Sequence, residues 1–127
     1  MFSKLEASQL VREFLESDLK QKEWFCNIQE YIKAIVLYGS VAKGVNTASS
    51  DIDVLIILPL EIEEKYTQGE YFYKYKNHEI NIVCRSVEKL RELAKLEEKD
   101  LFQREVFRDS EIIWSKDDEV KSLIDNL

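Results

Sequence analysis

The sequence predicts an α+β fold, an α/β mixed sheet with helices packed on one side. Apolar runs of strand length alternate with stretches of helical period. Only three glycines and one proline occur among 127 residues, too few for a loop-rich all-β architecture. Residues 1–127 are long enough for one domain and leave no room for a second core, and no repeat or linker marks a boundary.

Each element has its own signal. Residues 4–22 set Leu5, Leu10, Val11, Phe14, Leu15 and Leu19 along a helical stripe with a polar back. Trp24, Phe25, Ile28 and Tyr31 either continue it or open a second short helix. Residues 32–38 (IKAIVLY) form a β-branched and aromatic run that stops at Gly39, a buried strand. Residues 51–58 (DIDVLIIL) form a second, closed by Pro59. Residues 70–76 and 79–85 alternate in polarity on either side of Asn77-His78, which reads as a tight hairpin with Asn tolerating positive φ. In that register Lys76 faces Glu79 and Lys74 faces Asn81. Helical period returns over 87–107, with a phase slip across 97–100. A short strand at 111–114 precedes a terminal helix over 117–127, with Asp117 as its N-cap.

Composition excludes several classes. Hydrophobic residues at 45% and charged residues at 34% describe a globular chain. The longest apolar run, near 54–60, is too short to cross a bilayer, so no membrane role is expected. The charged amphipathic N-terminus lacks the apolar core and cleavage site of a secretory signal, which points to a cytoplasmic protein. Cys26 and Cys84, with no CxxC pair or histidine cluster, are expected to be reduced and partly buried. A net charge of −7 and the absence of a basic stripe disfavour long nucleic acid as a partner. A small nucleotide carried with Mg²⁺ is compatible with that charge, because the metal offsets it locally.

The chemistry concentrates in LYGSVAKGVNTASSDIDVLII, where an apolar strand ends in Gly39-Ser40 and Asp51-Ile52-Asp53 opens the next. Gly39 permits a sharp turn and close approach of a ligand to the backbone. Ser40 offers a hydroxyl and an N–H at the start of a short helix (VAKG), an anion seat. Asp51 and Asp53, two apart on a strand, leave by one face while Ile52 and Val54 leave by the other. Two carboxylates held together repel, and a divalent cation relieves them.

These residues resemble the minimal nucleotidyltransferases of the DNA polymerase β superfamily, most strongly over residues 35–58. The resemblance implies a nucleotidyltransferase-like fold and transfer of a nucleoside monophosphate, AMP from ATP, to an acceptor hydroxyl with pyrophosphate leaving. It implies that Gly39 and Ser40 hold the triphosphate, that Lys43 touches phosphate, and that Asp51 and Asp53 bind Mg²⁺. The family's third carboxylate falls on the triplet Ile80-Asn81-Ile82, so this chain carries Asn at the aligned position. Asn offers an oxygen to a metal but does not take a proton. Glu79, two residues earlier on the same face, is the candidate to substitute as the third catalytic acid. Proteins this small in the family often act beside a separately encoded HEPN-type partner, some attaching AMP to it as antitoxins; such a partner, or a homodimer, is implied here.

Plainer roles stand beside these. Gly39-Ser40 also fits an ordinary strand-to-helix turn, and Glu79 a solvated residue paired with Lys76. Tyr71, Tyr73 and Tyr75 fit a sheet cover better than a base-stacking surface, His78 fits a turn, and Cys84 fits the core. Asn81 keeps a second class open: a degenerate nucleotide- or metal-binding module, or an antitoxin acting by protein–protein interaction alone.

Overall fold

The computed structural model describes residues 3–39, 51–95, 110–116 and 118–125. Helix α1 (Lys4–Ser17) begins where the Ser3 hydroxyl accepts the Glu6 N–H at 3.1 Å, an N-cap. It buries Ala7, Val11 and Phe14 along one face. Leu5, expected on that stripe, falls on the opposite side and is 67% exposed. The chain then tightens into a 3₁₀ turn (Leu19–Gln21), so the apolar residues from Trp24 onward belong to a second helix, α2 (Glu23–Ile28).

Among the described residues five strands follow: β1 (Ala34–Tyr38), β2 (Ile52–Leu58), β3 (Glu70–Tyr75), β4 (His78–Ser86) and β5 (Glu111–Ser115). They form one mixed sheet in the order β3-β4-β2-β1-β5. Only β2 and β4 run parallel; the other pairs are antiparallel. Between β2 and β3 the sequence reading had no element, yet α3 (Leu60–Tyr66) starts there behind Pro59. Its signal is a proline at the N-cap followed by Glu61 and Glu63 in the first turn. Glu88 accepts the Leu60 N–H at 2.8 Å, satisfying one of the helix's free donors. Helix α4 (Val87–Lys95) follows β4, and α5 (Glu119–Asp125) follows β5. The expected phase slip and the Asp117 cap lie outside the described residues.

The helices cover both faces of the sheet, where a single covered face was expected. On one face Ile35, Leu37, Ile52, Val54, Ile56, Ile80, Ile82 and Cys84 pack against α1 and α2. On the other, Ala34, Val36, Leu55 and Ile57 pack against Val87 and Leu90 of α4 and Val120 and Ile124 of α5. The reason is in the strands: β1 and β2 are apolar on both alternating faces, and each face demands a cover. We call the first the inner face and the second the outer face.

The hairpin turns at Lys76-Asn77, whose φ values of 48° and 68° are those of a type I′ turn. This corrects the expected Asn77-His78 turn; His78 opens β4 opposite Tyr75. Either register keeps the tyrosines on the side of Ile80 and Ile82, so alternation does not choose between them. The turn does, and in the observed register Phe72 faces Asn81 while Lys74 faces Glu79. Lys76 instead reaches Glu13 on α1 at 2.8 Å. Tyr71, Tyr73 and Tyr75 cover the inner face, as expected. Tyr71 stacks on Trp24 with ring centroids 3.7 Å apart, and both Tyr73 and Tyr75 lean on Phe14.

Cys84 is buried in the core and Cys26 is exposed, so the expectation of partial burial fails for Cys26; both are free thiols. Cys26 sits on the solvent side of the short helix α2, whose apolar contacts come from Phe25 and Ile28. Among the described residues no helix is long and apolar enough to cross a membrane.

Candidate active site

The sheet register builds the site. Tyr38 on β1 pairs with Asp53 on β2, Asp53 with Asn81 on β4, and Asn81 with Phe72 on β3. Residues in such a row share a face, so all four line the outer face at the end of the sheet away from Ala34 and Ile57. Asp51, two residues before Asp53, emerges on the same side. Ile52 and Val54, between and after them, are 0% and 1% exposed in the inner core. Core burial of these two thereby fixes where both carboxylates point.

Gly39 follows β1 at φ +79°, a conformation that disfavours any residue with a Cβ. The space its Cβ would take is occupied by the Asp53 side chain, with the Asp53 Cγ only 3.2 Å from the ideal Cβ position. Two constraints therefore select glycine here: the backbone angle and the carboxylate against it. Ser40 and Lys43, the other expected phosphate contacts, lie outside the described residues.

Asp51 and Asp53 are both partly exposed. Burial pushes the Asp53 carboxyl above the usual aspartate range; hydrogen bonding from Asn81 opposes this, and the neighbouring Asp51 charge adds to it. A group whose ionised form is disfavoured by its surroundings and by a like charge is one that a cation would relieve. The two carboxylates thus supply hard oxygen donors suited to Mg²⁺. Asn81 Nδ2 donates to Asp51 Oδ2 at 3.0 Å, orienting that carboxylate. Beside them, burial and the Asp53 charge push the Tyr38 phenol up to about 12, so it stays protonated at neutral pH.

Glu79 is exposed on the outer face and stands opposite Lys74. Among the described residues no three His, Cys, Asp or Glu side chains gather closely enough to hold a metal ion. Asp51 and Asp53 form a pair, and the third position nearest them belongs to Asn81. One residue that the sequence reading passed over is Phe72, 71% exposed beside Asn81. Its signal was the alternation in EYFYKYK, which puts Phe72 and Lys74 on the face opposite the tyrosines.

None of the curated proteins matches the chain significantly. The family model described as polymerase beta, nucleotidyltransferase matches residues 20–119. That span contains all five strands, the Gly39 bend and the acidic pair. The chain therefore belongs to the polymerase beta nucleotidyltransferase family, whose chemistry is nucleotidyl transfer.

Proposed function

We propose that this protein is a Mg²⁺-dependent nucleotidyltransferase that moves AMP from ATP to an acceptor hydroxyl. The observation that carries this reading is the pair formed by Asp51, just before β2, and Asp53 on it, with Asp53 set against the Gly39 bend. In it, Asp51 and Asp53 hold Mg²⁺, which when bound neutralises charge on the triphosphate. The Gly39-Ser40 bend, with Lys43, receives the β- and γ-phosphates. Asn81 orients Asp51 through its amide. The acceptor oxygen forms a bond to the α-phosphorus as the bond from that phosphorus to the bridging oxygen breaks. Pyrophosphate departs with the electron pair, and the hydroxyl proton passes to the Glu79 carboxylate, which is exposed on the same face as Asn81.

The acceptor in this reading is carried by a partner protein, of HEPN type, or by a second copy of the chain, and the setting is cytoplasmic. A net charge of −7 argues against a long nucleic acid as the acceptor. Incubation with labelled ATP, Mg²⁺ and candidate acceptors tests the proposal. Transfer should vanish in Asp51→Asn and Asp53→Asn. Loss of a general base costs roughly 10²–10⁴-fold in rate, so Glu79→Gln should fall in that range; unchanged transfer would remove Glu79 from the mechanism.

A second reading is favoured by Asn81, which occupies the position of the family's third carboxylate. Here the domain retains nucleotide or metal binding without transfer, or neutralises a partner by contact. It expects measurable Mg·ATP binding with no labelled product. For an antitoxin acting by contact alone, the double Asp51→Asn, Asp53→Asn variant neutralises its partner as well as the wild type does.

A further inference from the structure

Phe72 stands on the outer face of β3 with 71% of its surface in water, while its neighbours Tyr71 and Tyr73 turn inward against Trp24 and Phe14. Among the described residues it is the most exposed of the large hydrophobic side chains. Among the described residues it belongs to neither core cluster. Together with Lys74, Glu79 and Asn81 it borders an open depression beside the acidic pair. An apolar ring bordered by polar groups, next to a reactive site, has the make-up of a contact surface.

The direction of the reaction says what would be contacted, on the nucleotidyl-transfer reading above. In displacement at phosphorus the attacking and leaving oxygens lie on opposite sides, roughly in line. With pyrophosphate leaving on the Gly39 side, at β1, the attacking oxygen arrives from the other end of the row Tyr38–Asp53–Asn81–Phe72. That end is Asn81 and then Phe72. Two strand spacings, about 10 Å, separate Asp53 from Phe72 along the row. This leaves room for a hydroxyl over Asn81 and a ring-sized group over Phe72.

We infer that Phe72 is the floor of the acceptor subsite and selects acceptors whose hydroxyl is borne beside a flat apolar group. The covalent step is the one already balanced: the acceptor oxygen bonds to the α-phosphorus, pyrophosphate leaves, and the hydroxyl proton goes to Glu79.

The test gives the full chain Mg²⁺, ATP and either benzyl alcohol or glycerol at equal concentration, and quantifies benzyl-AMP and glyceryl-AMP by mass spectrometry. Calorimetry of Mg²⁺ with ATP and with tripolyphosphate runs in parallel on the wild type, Phe72→Ser and Phe72→Tyr. An apolar pocket contact discriminates by roughly tenfold or more. The wild type should favour benzyl alcohol by that factor, and Phe72→Ser should lose the preference with ATP affinity unchanged. Phe72→Tyr, which keeps the ring, should retain it. Equal use of both alcohols, or no benzyl-AMP from a wild type that binds Mg·ATP, overturns the inference. So does a Phe72→Ser variant that weakens ATP binding but not tripolyphosphate binding, which would make the ring a nucleobase platform. A wild type that binds neither phosphate compound defeats the nucleotidyl-transfer reading itself, and the acceptor subsite with it.

Discussion

Replacing Gly39 by Ala probes the contact that holds the acidic pair in place. A Cβ at φ +79° costs about 1–2 kcal/mol in backbone strain. It would also meet the Asp53 carboxylate, whose Cγ and Cβ lie 3.2 and 3.3 Å from it, and overpacking of this kind costs a further ~1–3 kcal/mol. The sum, about 2–5 kcal/mol, is a large share of a domain's stability. Gly69 supplies the control: its φ is +90°, but among the described residues nothing lies within 4 Å of its ideal Cβ. Gly69→Ala should therefore cost only the strain, about 1–2 kcal/mol. Urea unfolding of both variants measures the difference, which belongs to Asp53. A double-mutant cycle isolates it further, because Asp53→Ala removes the carboxylate that the new methyl would strike. On that background Gly39→Ala should cost up to about 1–3 kcal/mol less than in the wild type. If Gly39→Ala costs no more than Gly69→Ala, or if its cost is unchanged without the carboxylate, the proposed packing of bend against acid is wrong.

Three further outcomes follow from the same structure. Asp53 is harder to ionise in the folded state than in the unfolded chain, so its charge weakens the fold as pH rises above the ordinary aspartate value and does nothing below it. Asp53→Asn should raise the melting temperature at neutral pH without divalent cations, and the gain should disappear on acidification below about pH 4; a gain that persists there would contradict the assignment. Burial pushes the Cys84 thiol up to about 12, whereas Cys26 is exposed, so native protein at pH 8 should titrate one thiol and denatured protein two. Trp24 donates its Nε1–H to the Tyr73 hydroxyl at 2.7 Å and stacks on Tyr71. Trp24→Leu should lower stability by about 2–3 kcal/mol in urea unfolding, since both the stack and the indole donor to the half-buried Tyr73 hydroxyl are lost.

The strands were legible because β1 and β2 are unbroken apolar runs and β4 alternates cleanly. The carboxylate pair was legible for the same reason, since burial of Ile52 and Val54 leaves Asp51 and Asp53 one direction to point. Other features depend on distant parts of the chain. The order β3-β4-β2-β1-β5 is set by packing between segments far apart in sequence. The hairpin register was ambiguous because a shift of two residues conserves every side chain's face. That shift decided whether Lys74 or Phe72 stood beside Asn81. Helix α3 escaped because seven residues carry too little periodicity to outweigh the preceding strand.

The outer face of the sheet changes character midway along its strands. Toward Ala34 and Ile57 it is roofed by α4 and α5, and toward Asp53, Asn81 and Phe72 its side chains pass from half-buried to largely exposed. On the proposed nucleotidyl-transfer reading, structural duty and reactive duty are thus allotted to different residues of the same strand. If the proposed chemistry holds, a variant silenced at Asp51 or Glu79 should remain a properly shaped molecule, fit to serve as an inert decoy. On the same reading, new acceptor preferences should be graftable around Phe72 while the roofed half goes on holding the architecture together.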